Sequence, residues 1–205
     1  MERGAVGGAV EWPGMPPIRV AAVVDVTEAE GPGARFAVWL QGCAIRCPAC
    51  CNPHMFDPAA GIPVDAGDLL ARLDRVRDQV EGVTLLGGEP FEQAAALVPF
   101  ALGARERGLS IVAFTGHLVE DLRSGWPPGS RELLAHVDLL VDGPFRADLP
   151  ERTRRWSGSA NQRFHFLTGR YSPGVETIAS GEVDRTVELR FRLDGTMERS
   201  GWPED

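Results

Sequence analysis

The sequence predicts an α/β fold built on a parallel sheet, and three observations carry that prediction. Apolar, β-branched runs alternate with amphipathic helical stretches from about residue 65 to 141. Three of those runs stop at polar or glycine-containing ends, at Gly87-Gly88, Thr115-Gly116 and Asp142-Gly143. The tail then drops the alternation and reads as an antiparallel hairpin. Strand and helix in alternation imply βα units, whose strands can only run parallel.

Taken in order, residues 1–17 are rich in Gly and Pro, lack periodicity and read as a flexible lead-in. Ile18–Val26 is a buried strand by composition, and Glu-Gly-Pro-Gly at 30–33 is turn chemistry. Phe36–Leu40 is a second strand leading into a cysteine-rich loop. Leu69, Leu70, Leu73, Val76 and Val80 lie at helical spacing within Asp65–Val80. Val83–Leu86 is a short strand, Pro90–Arg107 a helix and Ser110–Phe114 a strand. Helices from about His117 and near Ser130–His136 precede a strand at Val137–Val141. A further strand follows Arg163, and Thr186–Leu193, Asp-Gly-Thr and Met197–Arg199 form the hairpin. The reading is one domain over 18–205, with a core to residue 145 and an extension over 146–205.

Composition narrows the function. The chain has 205 residues, 43% hydrophobic and 24% charged, enough for a sizeable core. A net charge of -8 argues against nucleic acid or an acidic membrane as partner. Every basic side chain apart from histidine is Arg, so no lysine is available for catalysis. No run approaches the roughly 18 apolar residues of a membrane span, and the N-terminus lacks the pattern of a signal peptide.

All four cysteines, Cys43, Cys47, Cys50 and Cys51, fall in "WLQGCAIRCPACCN". A disulfide framework scatters cysteines to join distant segments, so this crowding points to a metal or cluster site in a reducing cytoplasm. Cys43, Cys47 and Cys50 follow C-x3-C-x2-C. Structural zinc wants four ligands, usually as two separated pairs. There is no second pair; Cys51 is a poor fourth ligand because adjacent side chains rarely converge, and His54 is the other candidate. A [4Fe–4S] cluster held by three thiolates keeps one iron open, which is what chemistry on a bound molecule requires.

C-x3-C-x2-C is the signature of the radical S-adenosylmethionine (SAM) superfamily. The chain resembles the small activating enzymes of anaerobic ribonucleotide reductase and, more distantly, of pyruvate formate-lyase. Beyond the cysteine loop, the resemblance rests on "TLLGGEPFEQ", "AFTGH", "VDLLVDGPF" and "WSGSANQR", in that order from residue 84 to 163. It implies a partial (β/α)6-type radical SAM barrel with the C-terminal β-hairpin added. It implies Cys43, Cys47 and Cys50 as cluster ligands and Gly87, Gly88, Glu89, Thr115 and Gly116 as the S-adenosylmethionine site. Asp142 and Asn161 become the candidates for substrate or cofactor positioning.

The resemblance further implies reductive cleavage of S-adenosylmethionine and hydrogen abstraction from a glycine in a large glycyl-radical enzyme. A donor such as flavodoxin or ferredoxin would supply the electron. The rival readings are a radical enzyme acting directly on a small metabolite or peptide, and a non-enzymatic cluster- or zinc-binding module. One departure stands out. The family places an aromatic residue beside the last cluster cysteine, where this chain has Ala49 and Cys51. Either Trp39 or Phe56 packs there instead, or the cofactor sits differently.

Overall fold

The computed structural model describes residues 14, 16–178, 187–191 and 197–201. Residues 1–13 and 15 of the lead-in expected over 1–17, and the Asp-Gly-Thr turn at 194–196, fall outside these. The strands are β1 (Ile18–Thr27), β2 (Arg35–Leu40), β3 (Ile62–Val64), β4 (Gly82–Gly87), β5 (Ser110–Phe114), β6 (Leu139–Asp142) and β7 (Arg163–Phe166). They form one seven-stranded sheet in the order β3-β1-β2-β4-β5-β6-β7. The four central strands β2, β4, β5 and β6 run parallel, and β1, β3 and β7 are antiparallel to their neighbours. The α/β class therefore holds, with a parallel centre between antiparallel margins. Strands β8 (Val187–Phe191) and β9 (Met197–Gly201) pair as a separate antiparallel ribbon, as the tail's pattern implies.

Helices α1 (Ala66–Asp74), α2 (Ala94–Glu106), α3 (Val119–Ser124) and α4 (Ser130–Leu134) connect the parallel strands. Strand side chains alternate between faces, and that alternation divides the apolar residues. Phe36, Val38 and Leu40 of β2, Val83 and Leu85 of β4, and Ile111 and Ala113 of β5 share one large core with Leu69, Leu73, Leu97, Phe100 and Leu133 of the helices. The opposite face carries the buried Val112, Leu139 and Val141 and a small cluster of Val24, Ala37 and Leu86, with Trp39 and Phe114 against it. Helices thus cover one face, as in the wall of an incomplete barrel. Among the described residues no helix is long and apolar enough to cross a membrane.

Two elements are shorter than the periodicity suggests. The helix expected over Asp65–Val80 ends at Asp74, after which a 3-10 turn at Arg77–Gln79 feeds β4. Pro90–Gln93 is likewise a 3-10 turn, with Pro at its first position, and only then does α2 begin. Strand β3 has no precedent in the sequence pattern. It is a three-residue edge strand containing Pro63, the position where a strand tolerates a missing N–H.

Candidate functional site

Parallel strands in an α/β sheet gather ligands beyond their C-terminal ends, and here four such ends lie side by side. Leu40 of β2 pairs with Gly87 of β4, while Phe114 of β5 pairs with Val141 of β6. The cysteine loop leaves β2 through Gln41, whose Nε2 donates to the carbonyls of His54 (3.1 Å) and Asp57 (2.8 Å). Gly42 and Cys43 N–H donate to Met55 O and Phe56 O, closing the loop at its base. Ala44 N–H donates to the Glu92 carboxylate at 2.9 and 3.1 Å. Within the loop Arg46 and Ala49 hold φ of 49° and 58°. Each precedes a cysteine, and left-handed backbone at a residue with a Cβ costs about 1–2 kcal/mol. The surrounding bonds impose that turn.

The three cysteines of the motif line one cavity of about 140 Å³. Across it stand Gly87, Gly88 and Glu89 from the end of β4, and Thr115 and Gly116 from the end of β5. All eight residues assigned on sequence to cluster and cofactor therefore meet at one place. Phe56, Phe114 and Phe145 also line it. Of the two aromatics considered for the place beside the last cysteine, Phe56 reaches the cavity, while Trp39 packs on the small cluster with Val24, Ala37 and Leu86. His54 gives its carbonyl to Gln41 and is not among the lining residues.

The glycines serve a purpose the sequence does not disclose. Gly88 N–H donates to Leu40 O (2.8 Å) and Glu89 N–H to Gly42 O (2.7 Å), so this backbone runs against the root of the cysteine loop. Gly87 has φ of +104°, and a Cβ on Gly88 would lie 2.3 Å from Gly42 O. Close approach is thus first to the chain itself.

Glu89 is 1% exposed. Its Oε1 accepts from Thr115 Oγ1 (2.7 Å) and Phe91 N–H (3.0 Å), and its Oε2 accepts from Gly116 N–H (2.8 Å). The carboxyl therefore ties the end of β4 to the end of β5. Burial pushes it up from 4.5 to about 7, against the three hydrogen bonds, which act to lower it. A carboxyl raised in the folded state favours folding when protonated. Its contribution is full below about pH 4.5 and is lost as pH rises through about 7. At 1.36 kcal/mol per pKa unit this amounts to about 3 kcal/mol. Unfolding of the metal-free chain and of Glu89→Gln should show the wild type losing about that much more stability between about pH 4 and pH 8. Parallel pH profiles for the two would remove the assignment.

Burial is also the largest influence on the Cys43 and Cys47 thiols and pushes both up. The polar backbone of Arg46 and Ile45 at Cys43 and of Phe145 at Cys47 acts against it. The Cys50 sulfur accepts from Asn52 N–H at 3.4 Å. Among the described residues no three His, Cys, Asp or Glu side chains converge closely enough to hold a single metal ion. A tetrahedral zinc with Zn–S near 2.3 Å needs its sulfurs within about 4 Å of one another. Three soft thiols around a shared cavity suit a multi-iron cluster better than one ion.

Asp142 and Asn161 are not among the residues that line the cavity. The Asp142 side chain is fully buried. Its Oδ2 accepts from Val119 N–H (2.7 Å) and Arg163 Nη2 (2.5 Å), and its Oδ1 from Arg163 Nε (2.9 Å). Burial acts to raise its carboxyl, but the Arg163 and Val119 hydrogen bonds win and hold it below the usual carboxylate range. It fastens β6 to α3 and β7. Asn161 donates Nδ2 to Pro144 O at 2.8 Å. Its neighbour Gln162 does line the cavity, as does Phe145. Phe145 is the last residue of "VDGPF", and Gln162, the fourth of "SANQR", reads with Asn161 and Arg163 as a polar cluster suited to hydrogen-bonding a peptide backbone or substrate.

A family model described as "4Fe-4S single cluster domain" matches residues 29–165. The anaerobic ribonucleoside-triphosphate reductase-activating protein of Pasteurella multocida is 30% identical over 145 residues, 67% of this chain and 90% of that protein. The protein of the same description from enterobacteria phage T4 is 30% identical over 141 residues, 65% of this chain and 84% of that one. Among solved structures, QueE from Escherichia coli matches with a TM-score of 0.41 and 20% identity, over 49% of this chain and 53% of that chain.

Proposed function

The chain belongs to the radical SAM family of 4Fe-4S single-cluster proteins related to the anaerobic ribonucleoside-triphosphate reductase-activating proteins, and on that premise we propose that it is an activase. It would cleave S-adenosylmethionine reductively and take a hydrogen atom from a glycine of a large partner enzyme. The observation that carries this reading is the meeting of Cys43, Cys47 and Cys50 with the Gly87–Glu89 and Thr115–Gly116 segments around one cavity at the strand ends. What a bound [4Fe–4S] cluster and S-adenosylmethionine would supply is one-electron scission of the sulfonium C–S bond, giving methionine and a 5′-deoxyadenosyl radical.

The protein's part is binding, orientation and exclusion of water. Cys43, Cys47 and Cys50 would hold three irons and leave the fourth for the cofactor. Glu89 is a buried carboxyl beside the glycine turn, suited to a cationic amino group, which would draw its pKa back down. The Thr115 hydroxyl and the Gly116 N–H are both committed to Glu89, so these residues would act on a ligand by fixing that carboxyl. Phe56, Phe114 and Phe145 supply apolar wall for a planar base and keep water from a reactive radical. The name of the relatives points to a reductase as partner. A sheet with helices on one face leaves the other side of the cavity for a partner's loop.

The test is anaerobic reconstitution with iron and sulfide, then reduction with S-adenosylmethionine present. Formation of 5′-deoxyadenosine is expected, together with a glycyl radical when the partner reductase is added. Ala at Cys43, Cys47 or Cys50 should drop bound iron to background, whereas Cys51→Ala should retain it. Cofactor cleavage without a partner radical would move the reading to direct action on a small substrate. An intact cluster that cleaves nothing would end the enzymatic reading.

A further inference from the structure

The segment that follows β4 grips the root of the cysteine loop in two ways. Two of the bonds are main-chain, from Gly88 N–H to Leu40 O and from Glu89 N–H to Gly42 O. The others come from the side chains of Glu92 and Gln93, which end the 3-10 turn Pro90–Gln93. The Glu92 carboxylate accepts from Ala44 N–H through both oxygens, at 2.9 and 3.1 Å. Gln93 Nε2 donates to Gln41 O (2.9 Å) and to Arg19 O of β1 (3.0 Å), while its Oε1 accepts from Arg19 N–H (2.6 Å). Gln41 carries the hold onward, since its own Nε2 donates to His54 O and Asp57 O beyond the last cysteine. One carboxamide fixes a second, and the second closes the loop.

Neither Glu92 nor Gln93 lines the cavity, so the last two residues of "GGEPFEQ" act there only through others. Cys43 lies between two pinned neighbours, Gly42 held by Glu89 N–H and Ala44 held by Glu92. A ligand whose flanking backbone is fixed in advance loses less freedom on binding. Residues that orient metal ligands typically contribute about 10–100-fold to metal affinity. Resting on the cluster assignment above, we infer that Glu92 and Gln93 are positioning residues. They set the Cys43 end of the loop before any iron arrives, and so govern how long the cluster is retained. Their chemical demands are opposite, because Glu92 must accept and Gln93 must donate twice. Glu92→Gln keeps an acceptor. Gln93→Glu keeps the size but has no donor, and it sets a carboxylate against two carbonyls.

The experiment follows iron released to a ferrous chelator, under anaerobic conditions, from the reconstituted full-length chain and its variants. Release should be about tenfold faster than wild type in Glu92→Ala and in Gln93→Glu, and within about threefold of it in Glu92→Gln. The same exchange of carboxylate and carboxamide thus has opposite outcomes at adjacent positions, which a change in bulk or helix propensity would not produce. In the metal-free chain, the Ala44 amide should exchange with solvent faster in Glu92→Ala and near the wild-type rate in Glu92→Gln. Release from Glu92→Ala at the wild-type rate, or from Glu92→Gln as fast as from Glu92→Ala, would overturn the proposal. Glu92 is exposed and its variants should fold; if Gln93→Glu does not, the two Glu92 variants and the Ala44 exchange decide. A wild type that takes up no cluster would bring down the ligand assignment together with this proposal, and that outcome appears before any variant is compared.

Discussion

Gly88→Ala should give a chain that folds with its sheet intact and loses nearly all its capacity for iron. The added Cβ would stand 2.3 Å from Gly42 O and 3.0 Å from Leu40 O, both backbone atoms with no side chain to swing aside. Relief requires the cysteine loop to move off the end of β4. That movement breaks the hydrogen bonds from Gly88 N–H to Leu40 O and from Glu89 N–H to Gly42 O. Two hydrogen bonds at about 1 kcal/mol each, with overpacking of about 1–3 kcal/mol, destabilise the docked loop by about 3–5 kcal/mol. Each 1.4 kcal/mol is a factor of ten, so the competent loop should fall to about one-hundredth of its population or less. The sheet has its own large core on the helix face and does not depend on that loop. Circular dichroism should therefore match the wild type while iron per chain after reconstitution is close to zero. Wild-type iron content in this variant would mean that the glycines answer to the cofactor alone.

The site was legible where the chemistry is local and opaque where it is relayed. C-x3-C-x2-C stands out because it gathers three thiols on one short loop, and the strand-end glycines stand out by position; the fold brings both to one cavity. Asp142 shows why the rest was hidden. A carboxylate before a glycine at a strand end reads as a ligand-facing group, and only the fold reveals Arg163 and the start of α3 closing over it. Asn161 is similar, since its partner Pro144 is 17 residues away in sequence and no local pattern announces the pairing. The fold was legible through periodicity, which fixed the parallel strands and their helices. Strand β3 was missed because three residues with a central proline have no period to read. The shortening of the first two helices came from 3-10 turns, whose side chains still fall near helical spacing.

Arg35 is the largest omission, and its replacement should carry the largest cost in stability. It opens β2 and shares a face with Ala37 and Trp39, so alternation alone would have placed an apolar residue there. In the fold it is fully buried. Its Nε donates to Thr84 Oγ1 (3.0 Å), its Nη1 to Ser110 Oγ (2.7 Å) and Tyr171 OH (2.9 Å), and its Nη2 to Val83 O (2.5 Å). Burial draws its pKa down, Tyr171 opposing, yet a guanidinium keeps its proton. It gathers the first residues of β4 and β5, and the segment beyond β7, around one cation.

Arg35→Met keeps much of the volume, and Ser110 Oγ and Tyr171 OH keep their bond to each other (2.7 Å) and Ser110 Oγ its bond to Glu81 O (3.1 Å). It takes the guanidinium donors from Thr84 Oγ1 and Val83 O, each costing about 1–3 kcal/mol if left unmade. Even with water admitted to some of them, a loss of about 4 kcal/mol is expected, which is a large part of the 5–15 kcal/mol typical of a domain. For a chain of this length that lowers the thermal midpoint by about 8–16 °C. Arg35→Lys should recover only part of it, because an ammonium has three donors and no planar fork. These residues sit at the opposite end of β4 and β5 from Gly87 and Thr115. Iron bound per folded chain should therefore remain at the wild-type level in both variants. The two lesions are then mirror images: Gly88→Ala keeps the sheet and loses the site, while Arg35→Met weakens the sheet and, for as long as it stays folded, keeps the site.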